Sequence, residues 1–341
     1  MRLRNVLATV SATLAVVSSV AAAPARNGQH PPGNCSPRVA IDSYSDVLDK
    51  TEFQGTFVGN FSALAVDTDG RIAAVSDRSS LFTLDARTYA PRTVVPLADE
   101  NGAQLDSEGL VVERDGSRLV SSETEPSVRR YDRHGTLLGS LPVPDALRVA
   151  PAGRAARNLT FEGLTLQPGG RTLVAGMEGT LAGDGAGIVR LQTWRRHGAG
   201  HDFRLSAQYG YRVDAGLSIS ETTATGDGRL LVLERGFTAG VGNTVRLYLA
   251  DPGRAGDVSR VENLTGDERL VRKTLLADLV DCPSLGAPAK QPQPNPLLDN
   301  IEALAVTSHG PGGRLRVLLA SDDNQNPSQI TRLYRLTVRL P

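Results

Sequence analysis

The feature that most constrains the fold is an internal repeat that extends over most of the chain. Five segments can be laid over one another, and each reads as a strand, a Gly turn, a second strand, an acidic loop and a third strand. The five segments are residues 61–85, 106–132, 161–194, 220–251 and 300–337. A repeated unit of this kind cannot bury its apolar face alone, so the repeats must pack against one another in one array.

The first two strands of each repeat are joined by a turn typical of β-hairpins. The five turns are Asp69-Gly70, Asp115-Gly116, Gly169-Gly170, Asp227-Gly228 and Gly312-Gly313. The third strand carries apolar side chains at every second residue, as at Val245, Leu247 and Leu249. Because no segment shows a long 3.6-residue period, we expect an all-β protein with few and short helices.

The spacing of the repeats indicates a β-propeller. The aligned residues at the start of the first strands are 46, 54, 59 and 81 residues apart, which fits blade-sized units with loop insertions. We predict a single propeller domain with six blades, since the 81-residue stretch has room for a degenerate blade; five and seven blades are the alternatives. A β-sandwich competes with this architecture, although five matching three-strand units are not typical of a Greek key.

Segments outside the repeats have predicted places as well. Residues 39–41 and 57–58 read as strands that can close the ring with the C-terminal strands. Residues 142–158 and 283–299 are rich in Pro and Ala, and we interpret them as loops that lie over one face. Both lead directly into an acidic position of a repeat, so both should end near a functional site.

The N-terminus predicts export. Arg2 and Arg4 precede an apolar run at residues 6–20, and the small residues that follow offer a cleavage site. The predicted division of the chain is a signal peptide at 1–25, an N-terminal extension at 26–38 and the propeller domain at 39–341. No second apolar stretch approaches the roughly 20 residues that cross a bilayer. We therefore expect a secreted, soluble mature chain without a membrane span.

Charge and cysteine content narrow the partners and the compartment. The 37 Lys and Arg balance the 37 Asp and Glu, so there is no electrostatic argument for nucleic acid or an anionic membrane as a partner. We expect a monomer that takes a small anionic or ester substrate. Two cysteines, Cys35 and Cys282, predict one disulfide in an exported chain, with two buried thiols as the alternative. The basic residues are mostly arginine, which together with many Ala and Gly indicates a bacterial source.

Acidic residues recur at two positions of the repeat. The first position, at the start of the first strand, holds Ser62, Glu108, Glu162, Glu221 and Glu302. The second position, at the end of the second strand, holds Asp77, Glu123, Glu178, Glu234 and Asp322. Because the hairpin reverses the chain between them, both positions reach the same end of a blade, and up to nine carboxylates should converge on one mouth.

Carboxylates so close together must take up protons or bind a cation. An oxygen-only ligand set favours Ca²⁺, and Asp106-Ser107-Glu108 and Asp322-Asp323-Asn324 are the best local candidates. The predicted metal ligands are Glu108, Glu162, Glu221, Glu234, Glu302, Asp322 and Asp323. The alternative is structural: these acids bond to backbone amides or pair with Arg78, Arg235 and Arg332.

The repeats resemble a known family, the phytase-like domain, whose members are described as having esterase-like activity of phytase. The resemblance rests on DSEGL (106–110), FEGLTL (161–166), LVLERGF (231–237), NIEALAV (300–306) and LLASDDNQNPSQITRLYRL (318–336). It extends over residues 40–338 and implies an exported propeller-like hydrolase related to calcium-dependent phytases. The chain departs from the pattern at Ser62 and has no lysine-rich site, which argues against phytate itself as the substrate.

We therefore expect a Ca²⁺-dependent hydrolase that cleaves a phosphoester or an ester at the mouth. Glu162 and Glu302 are the candidate general bases, and Arg78 or Arg235 would stabilise charge on the transferred group. Two alternatives stay open: a non-catalytic, calcium-stabilised propeller that binds a partner, and a metallohydrolase similar to sugar lactonases.

Overall fold

A computed structural model describes residues 33–198, 200 and 202–341. Within these residues the chain forms 22 strands and three short 3₁₀ helices, which confirms the all-β prediction. The helices are Asp145–Leu147, Pro252–Arg254 and Leu279–Asp281. The predicted signal peptide lies outside the described residues. In the part of the chain that is described, no helix is long and apolar enough to span a bilayer.

Twenty of these strands form five antiparallel four-stranded sheets, and two form a separate hairpin. The chain begins with β1 (Val39–Ser45) and the hairpin of β2 (Thr51–Phe53) and β3 (Thr56–Val58). Blade 1 contains β4 (Phe61–Val66), β5 (Ile72–Ser76), β6 (Ser80–Leu84) and β7 (Pro91–Pro96). Blade 2 contains β8 (Ser107–Val112), β9 (Arg118–Ser122), β10 (Ser127–Tyr131) and β11 (Leu137–Ser140). Blade 3 contains β12 (Phe161–Leu166), β13 (Thr172–Met177), β14 (Ile188–Arg195) and β15 (Arg204–Arg212). Blade 4 contains β16 (Ser218–Ala224), β17 (Leu230–Thr238), β18 (Gly242–Asp251) and β19 (Arg272–Asp278). Blade 5 contains β20 (Ile301–Gly310), β21 (Arg314–Ser321), β22 (Leu333–Arg339) and the N-terminal β1.

The first strand of each blade lies on the inside of a closed ring. Each of β4, β8, β12 and β16 packs against the inner strand of the next blade, and β20 packs against β4. The protein is therefore a five-bladed propeller, and the β-sandwich alternative is excluded. The preferred count of six is corrected to five. The 81-residue stretch contains the rest of blade 4 and a long connection at residues 279–300, which has no alternating apolar run from which a further blade could form.

The two chain ends complete blade 5. Strand β1 pairs antiparallel with β22, from Val39 opposite Val338 to Ser45 opposite Leu333, so the prediction that residues 39–41 close the ring is confirmed. Residues 57–58 do not take part, because they belong to β3.

Neighbouring inner strands approach so closely that two positions exclude a side chain. A Cβ on Gly109 would lie 2.5 Å from the Cβ of Leu164, and one on Gly163 would lie 2.3 Å from the backbone nitrogen of Thr222. These glycines belong to the DSEGL and FEGLTL motifs. They therefore allow the inner strands of blades 2, 3 and 4 to pack directly against one another.

The loop that leads into β20 is held at two points. Cys282 forms the predicted disulfide with Cys35, just before β1. The buried guanidinium of Arg332 binds both carboxylate oxygens of Asp46, at 2.6 and 2.8 Å, and donates to the carbonyl oxygens of Pro288 and Pro296, both at 2.8 Å. Arg332 therefore stabilises this loop and does not pair with the acids of the repeat.

We expect the disulfide to account for a large part of the stability of the chain. It restricts an unfolded segment with a sequence separation of 247 residues. A Cys35→Ala/Cys282→Ala variant should lose about 2–5 kcal/mol of unfolding free energy, since the unlinked unfolded chain gains freedom. Urea unfolding measures this loss. Wild-type protein unfolded in reductant is the matched control, because it keeps both cysteine side chains. Equal unfolding midpoints for the oxidised wild type, the reduced wild type and the variant would contradict the prediction.

Candidate functional site

A β-bulge recurs at the start of every inner strand. The register shifts between Phe61 and Ala63, Ser107 and Leu110, Phe161 and Leu164, Ile219 and Glu221, and Ile301 and Ala303. The residues that directly follow the last pair before each shift are Ser62, Glu108, Glu162, Ser220 and Glu302. A bulge changes the direction of a side chain, and bulges are common beside active sites. We call these five residues the bulge ring.

Blade 4 differs from the sequence alignment by one residue. Ile219 pairs with Glu234, in the place where Ile301 pairs with Ser321 in blade 5. The residue of the bulge ring in blade 4 is therefore Ser220, and Glu221 occupies the position of Gly163. A shift of one residue exchanges the two faces of a strand, so Glu221 cannot join the ring of acids.

A second ring lies directly beside the first. In four blades the backbone N–H of an acid donates to the residue that precedes the inner strand; Glu123, for example, bonds to the carbonyl oxygen of Asp106 at 3.0 Å. These second-ring acids are Asp77, Glu123, Glu178 and Asp322. In blade 4 the corresponding residue is Arg235, which pairs with Ser218. Blade 4 therefore contributes a cation where the other blades contribute carboxylates.

The two rings surround a cavity of about 480 Å³ at one end of the propeller, which we call the mouth. The carboxylates that line it are Asp77, Asp106, Glu108, Glu123, Glu162, Glu178 and Glu302. The lining side chains without a carboxylate are Arg78, Asn158, Arg235, Phe237, Asn243, Asn300, Asn324 and Gln329. The predicted convergence of acids from several repeats is thus visible in the structure.

Two groups of three carboxylates within the mouth are close enough to hold a metal ion. One group is Asp106, Glu108 and Glu123, and the other is Glu123, Glu162 and Glu178. In each group one oxygen per residue lies within 4.8 Å of the others. Glu123 belongs to both groups, and its buried Oε1 has no hydrogen-bond partner among the described residues. An unsatisfied buried oxygen within an all-oxygen donor set fits a hard cation.

Burial and mutual repulsion favour the protonated forms of these acids. Burial raises the pKa of Glu123 to about 9, and the nearby Glu178 carboxylate adds to the effect. Burial also raises the pKa of Glu108 and of Glu162 well above the usual range, with further contributions from Glu302 and Glu108, respectively. The metal-free mouth therefore retains protons that a bound cation would displace.

Arg235 and Glu302 form an ion pair inside the mouth. An Nη2–Oε1 distance of 2.5 Å joins them, and the side chains are 21% and 8% exposed. Burial opposes the charge of Arg235, but Glu302 and Glu162 outweigh it and raise the pKa of the guanidinium. Burial raises the pKa of Glu302, and Arg235 opposes that rise. Asn300 donates to Glu302 Oε1 at 3.0 Å, so the carboxylate is held from two sides.

Arg78 has a looser position. Its side chain is 63% exposed, and its Nε lies 3.7 Å from Oδ2 of Asp77. It lines the mouth from blade 1, whereas Arg235 lines it from blade 4. Asp322 is buried beside the mouth, where burial and the charge of Glu302 raise its pKa, and it accepts a hydrogen bond from the backbone of Asn324 at 2.7 Å.

Four of the predicted ligands lie outside the mouth lining: Asp322, which is buried beside it, and Glu221, Glu234 and Asp323. Glu221 Oε1 accepts from the backbone N–H groups of Leu164 and Thr222, at 3.0 and 2.8 Å, and so links blades 3 and 4. For Glu221 the structural alternative describes the geometry, because the carboxylate is buried and bonded to amides. The space that it needs exists because Gly163 has no side chain.

Glu234 and Asp323 have partners of their own. Glu234 accepts from the Tyr211 hydroxyl at 2.7 Å and from Lys273 at 2.6 Å. Asp323 pairs with Lys50 and accepts from the backbone N–H of Asn60 at 3.2 Å. Both carboxylates are fully buried, and their cationic partners compensate their charge.

Sequence reasoning missed Phe237 and Asn243 at the mouth. They form a cross-strand pair where β17 and β18 extend, and Phe237 is 60% exposed. The sequence feature that could have identified them is the number of residues between the apolar run of β17 and the Gly turn at residues 239–242. This spacing predicts a hairpin that extends beyond the apolar core of the blade.

We expect the metal-free protein to lose stability as pH rises from about 5 to 9. In the folded chain Glu123 keeps its proton up to its pKa of about 9, whereas an unfolded Glu releases it near about pH 4.3. The folded state therefore binds more protons in this window, and the free energy of unfolding falls by up to about 1.4 kcal/mol per pH unit for each such proton. Thermal unfolding in chelator measures the slope. Glu123→Gln should flatten it, and a wild-type melting temperature that is constant over this window would contradict the prediction.

Comparisons with known proteins agree with the repeat-based interpretation. A family model described as Phytase-like, esterase-like activity of phytase, matches residues 56–325. An "Uncharacterized secreted protein" of Arthroderma benhamiae is 30% identical over 117 residues, in a match that covers 27% of this chain and 23% of that relative. The chain thus spans about a quarter of the length of that relative.

Solved structures provide more distant likenesses. Glutaminyl cyclase of Myxococcus xanthus matches with a TM-score of 0.45 and 11% identity, over 89% of this chain and 97% of that one. The PQQ-bound aldose sugar dehydrogenase of Streptomyces coelicolor matches with a TM-score of 0.41 and 13% identity, over 91% and 100%. Likenesses at this distance carry no functional argument.

Proposed function

Since this chain belongs to the phytase-like family, described as esterase-like activity of phytase, we propose that it is a Ca²⁺-dependent hydrolase that cleaves a phosphoester or a carboxylic ester at the mouth. The observation that carries the proposal is the pair of carboxylate groups that share Glu123, beside the ion pair of Arg235 and Glu302. The first arrangement can hold a divalent cation, and the second combines a base with a fixed positive charge.

The cation would be held by Asp106, Glu108, Glu123, Glu162 and Glu178. All five offer only carboxylate oxygens, the ligand type that Ca²⁺ prefers, and Glu123, whose buried Oε1 has no hydrogen-bond partner among the described residues, belongs to both groups. When bound, Ca²⁺ neutralises negative charge and polarises the oxygen of the substrate or of water. Glu162, a candidate base from the sequence, is in this interpretation a metal ligand.

Glu302 is then the better candidate for the general base. Its carboxylate is nearly buried and is oriented by Arg235 and Asn300. Because burial raises its pKa, it is a stronger base than an exposed glutamate. Hydrolysis needs a group that takes a proton from water while the water oxygen attacks the ester, and another that returns a proton to the departing alcohol. Glu302 can perform the first step.

Arg235 would stabilise the negative charge that develops on the group under attack. Its guanidinium is partly exposed to the mouth, and its Nε has no hydrogen-bond partner among the described residues. A fixed cation in a water-poor site is more effective than one in solvent. Arg78, which is more exposed, can assist in binding an anionic substrate.

We further propose that the protein acts outside the cytoplasm. The Cys35–Cys282 disulfide is typical of an oxidising compartment. The Arthroderma benhamiae relative is named as a secreted protein.

Two substitutions separate metal binding from proton transfer. Glu302→Gln should lower kcat at least about 100-fold, because it removes the base, while calcium binding is retained. Glu123→Gln should weaken calcium binding and turnover together, because Glu123 belongs to both metal groups. Calorimetric titration with Ca²⁺ and steady-state kinetics measure the two effects.

Glu221→Gln is the matched control for this pair. It neutralises another buried acid of the same propeller that lies away from the mouth lining, so it should leave calcium affinity and turnover unchanged. Retained turnover in Glu302→Gln would remove that residue from the reaction. Unchanged calcium affinity in Glu123→Gln would exclude the two groups as the metal site.

The reaction class follows from an assay of the purified mature chain. The panel is p-nitrophenyl phosphate, acyl esters, phytate and lactones, each with calcium, without calcium and after chelation. We expect hydrolysis of one ester class that disappears on chelation and returns when calcium is added. Turnover of lactones alone would indicate a reaction similar to that of sugar lactonases. No turnover, with melting that still depends on calcium, would favour a binding propeller and contradict the proposal.

A further inference from the structure

Blades 4 and 5 contribute uncharged side chains to the lining of the mouth. These include Phe237 and Asn243 from the hairpin of blade 4 and Asn324 and Gln329 from the loop that follows β21. Six of the seven lining carboxylates come from blades 1, 2 and 3, and only Glu302 comes from blade 5. The lining carboxylates are therefore concentrated on blades 1 to 3, whereas blades 4 and 5 combine the ion pair of Arg235 and Glu302 with uncharged side chains.

Phe237 is the aromatic side chain of this lining. It is 60% exposed, although a phenyl ring is more stable when it is removed from water. It lies two residues beyond Arg235 on β17, so both side chains project from the same face of the strand. A group bound at Arg235 would thus have the phenyl ring directly beside it.

Asn243 provides a second observation on the same side. It is the cross-strand partner of Phe237 and lines the mouth, yet only 3% of the residue is exposed. Its Nδ2 is buried and has no hydrogen-bond partner among the described residues. A buried amide without a partner costs stability unless a ligand or water satisfies it, so Asn243 offers a hydrogen-bond donor beside Phe237.

The charge of the mouth limits what that ligand can be. Seven carboxylates and two arginines line it, and no lysine does. Even with divalent cations bound, a polyanion with a phosphate at every ring position would meet carboxylates on most sides. A substrate with one ester or phosphoester group and an uncharged remainder can place the reacting group among the acids and Arg235 and place the remainder against Phe237.

We propose that Phe237 is a specificity-determining residue that binds the uncharged, apolar part of the substrate. The substrate class is then a monoester with an aromatic or similarly flat apolar group, and not a polyphosphorylated compound. This inference rests on the proposed ester hydrolysis at the same mouth. An aromatic ring in contact with the bound group adds to the stabilisation that burial of apolar area provides.

The test compares benzyl and methyl esters of the class that the protein hydrolyses, either the two phosphates or the two acetates. The two alcohols have similar acidity, so the leaving groups differ mainly in size and apolarity. We expect KM for the benzyl ester to be about 3- to 10-fold lower than for the methyl ester, with similar kcat. Phe237→Ala should abolish this preference, and Phe237→Tyr should retain it.

Val241→Ala is the matched control, because Val241 lies in the turn of the same hairpin and is 55% exposed but does not line the mouth. It should keep the benzyl preference. An unchanged ratio of the two KM values in Phe237→Ala would overturn the inference and leave the proposed hydrolysis intact.

If no ester is hydrolysed, the proposed function fails and the subsite is tested by binding alone. Calorimetry with benzylphosphonate and methylphosphonate, in the presence of calcium, then replaces kinetics. Tighter binding of the benzyl compound that is lost in Phe237→Ala would support the subsite. Equal affinity of the two phosphonates for the wild type would overturn it.

Discussion

The closed ring of inner strands brings buried carboxylates of like charge together, and the rest of the site depends on this constraint. Each blade is fixed by its neighbours, and blades 2, 3 and 4 approach so closely that Gly109 and Gly163 admit no side chain. Glu108, Glu162 and Glu302 therefore cannot move apart to relieve their repulsion. Such acids can keep protons, pair with a cation of the protein or bind a metal ion. Burial raises the pKa of Glu108 and of Glu162, and Glu302 pairs with Arg235.

The loop before β20 positions the residue that blade 5 contributes to the bulge ring, Glu302. The disulfide and the buried Arg332 hold the segment from Cys282 to Asn300, and Asn300 in turn holds Glu302. Because Arg332 also binds Asp46, the same contact joins this loop to the segment that follows the closing strand β1. The structure that closes the propeller is thus the structure that positions the candidate base. Loss of either anchor would disturb both.

Much of the fold was predictable, because five turns and alternating apolar strands are local signals that each blade repeats. The blade count was not, since an insertion of about twenty residues and a degenerate blade have similar lengths. At the site, Glu108, Glu162 and Glu302 could be found from their motifs. Blade 4 misled the alignment because Ser220 and Glu221 are adjacent, and only the pairing of Ile219 with Glu234 decides which one enters the ring. The sequence alone does not distinguish two strand registers that differ by one residue.

The one-residue register shift in blade 4 makes the charge distribution around the mouth asymmetric. If blade 4 matched the others, an acid would stand at position 235, and the mouth would be a nearly symmetric ring of carboxylates able to hold cations but unable to orient a substrate. Instead, Ser220 and Arg235 interrupt the ring, and the guanidinium fixes Glu302 through their ion pair. The same blade extends its hairpin and adds the exposed Phe237. Blade 4 therefore contributes a cation that pairs with the candidate base of blade 5 and an exposed aromatic ring, while the carboxylate groups proposed to hold a metal come from blades 2 and 3. The proposed ester hydrolysis needs such an arrangement, because a base and a positive charge must be held in fixed positions relative to the reacting group.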